Sequence, residues 1–480
     1  MFIYPEQWYF FHPMNEKVKS AVLVGVLLPR TSPEELESSL RELERLVTTL
    51  GYKIAGQVTQ KRNSDRTATL LGAGKLKELA QWTGGTGVIG SMVEHKLSKA
   101  QEKWQREEEE AARQSESPDA EIELDSADEL LTEEQRGSAQ IVIVDSDLSP
   151  SQIRNLESAA GVPVLDRTGV IIEIFSRHAR TRAARLQVEI ARLTYVAPRL
   201  RESGGGEDRQ GGGVGGKGSG ESSLELDRRK IRDRIKELKT ELESVGNEHQ
   251  VRRARREQEL SVALVGYTNA GKSSLMRAMT GSEVLVADKL FATLDTTIRP
   301  LHPESRPKIL MSDTVGFIKK LPHDLVASFK STLDEALNAS LLLYVVDCSD
   351  PSFRSQLEVT RSVLAEVGAK EIPSLLVLNK LDRLNERQAA ELRTEFPEAV
   401  LISTRNPDDL KMLRNKILTY FESDMVDEDI FVPYAAKGIV GEIRGKTRVL
   451  GESYNENGVT LKVRSSPGVL AQIKKNLHSS

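Results

Sequence analysis

The sequence predicts an α/β protein: a mostly parallel sheet with helices on both faces, preceded by a small α/β domain and an antiparallel helical hairpin, and followed by a small α+β domain. Three observations carry this. A β-branched run, Leu260-Ser261-Val262-Ala263-Leu264-Val265, leads into the glycine-bounded loop Gly266-Tyr267-Thr268-Asn269-Ala270-Gly271-Lys272-Ser273 and then into Ser274-Leu275-Met276-Arg277-Ala278-Met279, which reads as helix. The runs Lys308–Ser312, Leu341–Asp347 and Ser374–Leu378 are apolar nearly throughout rather than alternating, as buried parallel strands are. Two upstream segments repeat apolar residues at helical spacing on either side of a glycine-rich stretch.

A length of 480 residues suits about three domains. The expected divisions are a disordered leader at 1–20, an N-terminal α/β domain at 21–175, a helical hairpin at 176–256, the parallel-sheet domain at 257–424 and the small C-terminal domain at 425–480. With 67 basic and 71 acidic residues there is no global pull toward nucleic acid, so any basic surface is local. A single cysteine, Cys348, excludes a disulfide framework, and its place after an apolar strand reads as a small buried residue. No apolar run approaches the roughly 18 residues of a membrane span. A soluble, cytoplasmic monomer is expected.

The first eleven residues hold Phe2, Tyr4, Trp8, Tyr9, Phe10 and Phe11 but no basic n-region, so they are no signal peptide. A disordered leader, or a start placed upstream of Met14, is the plainer reading than an aromatic anchor for a partner. Ala21–Leu28 is a strand. Ser32 caps the next helix, Pro33 sits in its first turn, Leu36, Leu40, Leu43, Leu46 and Val47 mark its buried face, and Gly51 ends it. Ile54–Val58 gives another strand. Gly72-Ala73-Gly74-Lys75 imitates a phosphate loop but lacks the strand–loop–helix register, and is read as a turn before the helix Leu76–Trp82. The strand Gln140–Asp145, the helix Pro150–Ala160 and the strand Val162–Leu165 complete a βαβ alternation.

Residues 101–136 interrupt that domain with 14 acidic side chains against four basic. Such a segment buries too little apolar surface to offset its ordering entropy, so a disordered acidic insertion is expected. Arg177–Arg201 differs, with seven arginines and one acid, Glu189, and the stripe Leu186, Ile190, Leu193, Ala197, Leu200. After the loop Gly204–Gly220, ten of whose 17 residues are glycine, Ile231, Ile235, Leu238, Leu242 and Val245 repeat that spacing. Each helix can bury its stripe on the other. Between Arg228 and Arg256 lie 11 basic and five acidic residues. A mixed charge run is usually a solvated face. Here the excess, with Arg209 and Lys217 in the loop, favours an RNA backbone as partner.

The chemistry sits in the parallel-sheet domain. The glycines let the backbone wrap a phosphate, the helix N-terminus adds partial positive charge, Lys272 reaches the terminal phosphates and Ser273 offers a hydroxyl to Mg²⁺. A tight βα turn is the bland alternative, and the flanking strand and helix count against it. Asp313-Thr314-Val315-Gly316 closes the next strand, supplying a carboxylate for the metal shell and a glycine N–H for the γ-phosphate. Asn379-Lys380-Leu381-Asp382 ends another. The Asp382 carboxylate can accept both the ring N–H and the amino group of guanine, whereas adenine presents the reverse pattern. Three motifs at successive strand ends make this a P-loop GTPase domain that binds GTP and GDP.

The combination resembles the HflX family of ribosome-associated GTPases. The resemblance rests on Ser149–Glu157, Val164-Leu165-Asp166-Arg167-Thr168-Gly169, the loop ending Gly218-Ser219-Gly220-Glu221 with Leu226-Asp227-Arg228-Arg229, and Phe291-Ala292-Thr293-Leu294-Asp295. It runs from about Val22 to Glu422 apart from the insertion. It implies binding to the large ribosomal subunit, with the glycine loop reaching into ribosomal RNA, and a role in splitting or rescuing stalled ribosomes. Two rivals are a GTPase coupled to another structured RNA or its modification, for which a C-terminal cysteine motif is missing, and a signalling switch with a protein partner.

Two departures from the family pattern stand out: the acidic insertion, and Ser403-Thr404-Arg405 where Ser-Ala-Lys is typical, with Ser403 and Thr404 still expected at the base. Thr293 is the favoured threonine to close over Mg²⁺, with Thr296 and Thr297 as rivals. Lys272, Thr293 and Gly316 are the expected catalytic residues. Phe317 stands where a polar side chain commonly holds the attacking water, so turnover is expected to be slow alone and completed by a partner. Asn269 is a candidate K⁺ ligand, or it merely tolerates an unusual backbone angle.

Overall fold

The computed structural model describes residues 19–29, 31–89, 132–133, 135–200, 223–254, 260–281, 290–291, 296–319, 335–423, 425–436 and 438–479. The aromatic leader, most of the acidic insertion, the glycine-rich loop and Thr293 lie outside the described residues. The chain divides into two compact units, residues 1–173 and 174–480.

The first unit runs β1 (Ser20–Leu27), α1 (Pro33–Thr49), β2 (Lys53–Lys61), α2 (Ala73–Thr83), β3 (Ile141–Val144), α3 (Pro150–Ala160) and β4 (Val164–Asp166). The strands pair in parallel in the order β2-β1-β3-β4. Helix starts follow local chemistry. Ser32 with Glu35, and Ser149 with Gln152, form reciprocal capping boxes, each with a proline in the first turn. Val22, Val24, Val58, Leu79, Val142, Val144 and Leu156 share one core. The segment Gly72–Lys75 is not a separate turn: Gly72 is the N-cap and the helix begins at Ala73. Its N-terminus is answered locally, since the Gly72 N–H donates to Gln60 Oε1 at 2.8 Å.

Helix α4 (Arg167–His178) leads out of β4. The arginine-rich run Arg177–Arg201, read from sequence as one helix, is broken: α4 ends at His178, and Thr181 caps a new helix, α5 (Arg182–Val196), by accepting from the Ala184 N–H at 3.2 Å. A short 3₁₀ turn, Ala197–Arg199, follows, because Pro198 cannot continue an α-helix. Ala197 and Leu200 are therefore only half-buried, while Leu186, Ile190 and Leu193 pack with Ile231, Ile235, Leu238, Leu242 and Val245 of α6 (Ser223–Ala254). The two helices run antiparallel, with Arg182 paired to Glu241 at 2.6 Å and Arg234 to Glu189 at 3.3 Å.

The second sheet contains β5 (Leu260–Val265), followed by α7 (Lys272–Thr280), then β6 (Thr297–Pro300), β7 (Ile309–Asp313), β8 (Leu341–Asp347), α8 (Phe353–Glu366), β9 (Ser374–Asn379), α9 (Glu386–Glu395), β10 (Val400–Leu401) and α10 (Pro407–Glu422). Its order is β10-β9-β8-β5-β7-β6, parallel except for the edge pair β6–β7. Val262, Leu264, Met311, Leu343 and Val345 fill the centre against Leu275, Met276, Leu413 and Ile417. A third sheet, β11 (Val426–Pro433), β12 (Arg448–Asn455) and β13 (Gly458–Ser465), is antiparallel in the order β11-β13-β12, and α11 (Ile439–Lys446) and α12 (Pro467–Ser479) close its core over Ile430, Leu461 and Val463.

Candidate functional site

The predicted site residues converge at the carboxyl ends of β5, β7, β8 and β9, where ligands bind in open parallel sheets. The loop from Gly266 to Gly271 turns β5 into α7, with Asn269 at φ +59° and Gly271 at φ +93°. Gly271 is obligatory: a methyl placed on it would lie 2.2 Å from Asn379 Nδ2. That amide donates to Ala270 O at 2.9 Å, so the end of β9 grips the Gly266–Gly271 loop directly. Lys380, itself at φ +65°, donates from Nζ to Asn269 O at 2.8 Å and pairs with Asp347 at 2.7 Å. The Asn269 backbone carbonyl is thus engaged by Lys380.

Lys272 is 6% exposed, and its ammonium donates to Gly266 O at 3.1 Å and Tyr267 O at 2.9 Å. Burial pushes it down to about 8, with the Asp313 carboxylate pulling the other way. A phosphate here would add an anionic partner for the ammonium. Ser273 Oγ, in the first turn of α7, donates to Asp313 Oδ2 at 2.6 Å, with Ser274 half-buried beside it. A hydroxyl and a carboxylate in contact are the hard oxygen donors that Mg²⁺ takes, with its other positions left for water and phosphate. Thr314 anchors the strand end by donating to Leu264 O at 2.7 Å, and Val315 is buried.

The segment after Asp313 is zipped onto the phosphate loop. The Phe317 N–H donates to Gly266 O at 3.1 Å, and Thr268 returns its N–H to Phe317 O at 2.8 Å. Gly316 must be glycine for this approach: a methyl there would lie 2.8 Å from Thr268 Cα and 2.9 Å from Lys272 Nζ. Phe317 is buried in the seam. Of the rival threonines, Thr297 begins β6 opposite Asp313, and Thr296 precedes it half-buried.

At the base end, Ser403 Oγ donates to Asp382 Oδ1 at 2.7 Å, which holds the Asp382 carboxyl below its ordinary range, helped by Arg405 at 3.4 Å. The Thr404 N–H donates to Asn379 Oδ1 at 3.3 Å. Two supports were not anticipated from sequence. Asp409 accepts from the Ser403 N–H at 2.7 Å and fixes the last loop, and Asp347 positions Lys380. A carboxylate at a strand end was the available signal for Asp347, whereas Asp409 reads only as a helix-start acid. Cys348 is buried as expected; burial first, with Asp347 adding, pushes its thiol up to about 12.

Family models described as GTP-binding GTPase N-terminal, GTP-binding GTPase Middle Region and 50S ribosome-binding GTPase match residues 37–112 and 107–176, 178–256, and 261–380 respectively. A GTPase HflX from Gluconacetobacter diazotrophicus is 57% identical over 95% of this chain and 97% of its own length. The chain belongs to the HflX family of GTPases. A member from Caldanaerobacter subterraneus subsp. tengcongensis is 36% identical over 96% of this chain and 93% of its own. A solved GTP-binding protein from Sulfolobus solfataricus in complex with GDP is 22% identical, with a TM-score of 0.41, over 84% of this chain and 98% of that one. Among the described residues no helix is long and apolar enough to cross a membrane.

Proposed function

We propose that this GTPase binds the large ribosomal subunit in its GTP state and acts there in splitting or rescuing stalled ribosomes. The observation that carries the proposal is the match of residues 261–380 to a model described as a 50S ribosome-binding GTPase. The hairpin supports an RNA partner. On α6, Arg228, Arg232, Lys236 and Lys239 are exposed and carry no acidic partner among the described residues. Their spacing puts them on one flank, about 6 Å apart along the axis, while Asp227, Asp233, Glu237 and Glu241 fall on the opposite side. Among the described residues, Glu225 and Glu243 are the acids that interrupt the basic flank. A row of unpaired cations at that pitch suits a phosphate backbone.

In the proposed cycle, residues 266–274 wrap the phosphates, with Lys272 as the cation on the terminal groups. Ser273 and Asp313 hold Mg²⁺, joined by Thr293 in the GTP state. The Gly316 N–H meets the γ-phosphate, and Asn379, Lys380, Asp382, Ser403 and Thr404 form the guanine pocket. Because Phe317 is buried in the seam and cannot hold water, turnover is slow until the ribosome completes the site. The factor works as a cytoplasmic monomer. Co-sedimentation with purified large subunits tests the central reading. Retention with a non-hydrolysable GTP analogue and release with GDP are expected, and equal recovery in both nucleotide states would refute a GTP-gated partner. A K⁺ contribution through the Asn269 side chain predicts faster turnover in K⁺ than in matched Na⁺, lost in Asn269→Ala.

A further inference from the structure

We propose that the Thr268 side-chain hydroxyl hydrogen-bonds the γ-phosphoryl group of GTP and so distinguishes GTP from GDP. The inference rests on the nucleotide-site reading above. Thr268 is 7% exposed, and its Oγ1 has no hydrogen-bond partner among the described residues. A buried hydroxyl without a partner is unfavourable, and in a binding loop it is a donor held for a ligand. The backbone cannot serve instead, because the Thr268 N–H is already given to Phe317 O at 2.8 Å.

The position fits the end of the loop where the terminal phosphate lies. Thr268 Cα and Cγ2 and Lys272 Nζ all fall within 3 Å of a single point, the methyl that Gly316 lacks. Thr268 and Lys272 thus border one point, and a phosphoryl oxygen held by Lys272 comes within reach of the Thr268 hydroxyl when its side chain turns Oγ1 to the place Cγ2 holds. The next residue along the seam, Phe317, has no polar side chain to offer. GDP ends one phosphate short and leaves the hydroxyl unanswered.

The test compares Thr268→Val, which keeps the shape and deletes the hydroxyl, with Thr268→Ser, which keeps the hydroxyl. Affinities for GDP and for a non-hydrolysable GTP analogue are measured on the full chain, together with thermal unfolding of the free protein. T268V is expected to hold GDP within about twofold of wild type and to lose the analogue by about tenfold to a hundredfold, the range for a hydrogen bond to a charged group. T268S is expected to keep both. Free T268V is expected to melt at or above the wild-type temperature, since an unanswered buried polar atom has been removed. Equal affinity of T268V and wild type for the analogue overturns the inference. So does parallel weakening of GDP and analogue with a lower melting temperature, which marks a structural role in the loop. If T268V fails to bind GDP at all, Thr268→Ala replaces it under the same expectations. Wild-type protein that binds neither nucleotide overturns the site reading itself, and this inference with it.

Discussion

Residues 1–173 and the GTPase sheet both place charged residues at the ends of parallel strands, and they use them in opposite ways. In the first, Arg167, 1% exposed, lies between Asp145, at 2.7 Å just beyond β3, and Glu42 of α1, with Ser39 beside them. Asp166 accepts from the Gly169 N–H at 2.8 Å and from Leu148 N at 3.3 Å. Even the glycine stretch that imitates a phosphate loop is closed, with Gln60 on Gly72 and Lys75 paired to Glu78 at 2.6 Å. In the GTPase sheet, Lys272 rests on two carbonyls and is pushed down toward neutrality by burial. One set of strand ends answers its own charges and is structural. In the other, no ion pair meets Lys272 among the described residues, which is the arrangement a phosphate site calls for.

That contrast can be broken at four points, in descending size of effect. The largest lies at the base. Asp382→Asn presents a donor where guanine also donates, so GTP affinity should fall by roughly 10⁴-fold while xanthosine triphosphate binds, because a pocket built for one hydrogen-bond pattern rejects another. Titration with both nucleotides checks it, and undiminished GTP binding would put Asp382 outside the pocket. Next, Arg167→Met strands Asp145 and Glu42, and should cost about 3–5 kcal/mol in denaturant unfolding with GTP affinity unchanged. A drop in GTP affinity without loss of stability would mean that the Arg167 cluster serves the nucleotide after all.

Third, replacing Arg228, Arg232, Lys236 and Lys239 with Gln should make subunit binding less salt-dependent, removing about a hundredfold of the loss between 50 and 200 mM salt. Gln at Arg361, Lys370, Arg387 and Lys411, four exposed cations of the GTPase domain, provides the charge-matched control. An identical slope in both variants would reduce the basic flank to a solvated face. The smallest effect is in pH. Phosphate binding needs the Lys272 ammonium, and the free protein sheds that proton above about 8. Affinity for GTP should be level below pH 8 and fall about tenfold per unit just above it. Stability moves the other way. Between about 8 and the ordinary lysine value of 10.5 the unfolded chain binds the proton and the folded one does not, so free protein gains stability as pH rises through that window. Calorimetry of free and GTP-loaded protein between pH 7 and 9 separates the two signs.

Much of this was legible in the residues. Strand–loop–helix order, the spacing from Gly266 to Ser273, and the acids and amides at strand ends point to a guanine nucleotide, because phosphate and guanine each demand a fixed set of donors at fixed intervals. The two hairpin stripes were equally plain, since helical periodicity is a local property. The break at residues 179–181 was not. Arg177–Arg201 contains no interior glycine, and its only proline, Pro198, lies near the end, so only the Thr181 cap and the packing of α5 on α6 show where one helix stops and another begins.

What the sequence by itself determined, then, is the chemistry: a guanine-nucleotide site, a basic hairpin and a family. Which groups are already satisfied was decided only by tertiary structure. The spacing from Gly266 to Ser273 marks Lys272 as a phosphate ligand, but nothing in the neighbours of Arg167 along the chain shows that its charge is locked into an ion cluster. Asp145 and Glu42 reach Arg167 from distant segments, Lys380 reaches Asn269 across the sheet, and Phe317 takes the N–H of Thr268 while its hydroxyl is left unanswered. Hydrogen-bond satisfaction depends on atoms far apart in the chain that folding brings within about 3 Å, and no local pattern encodes that distance.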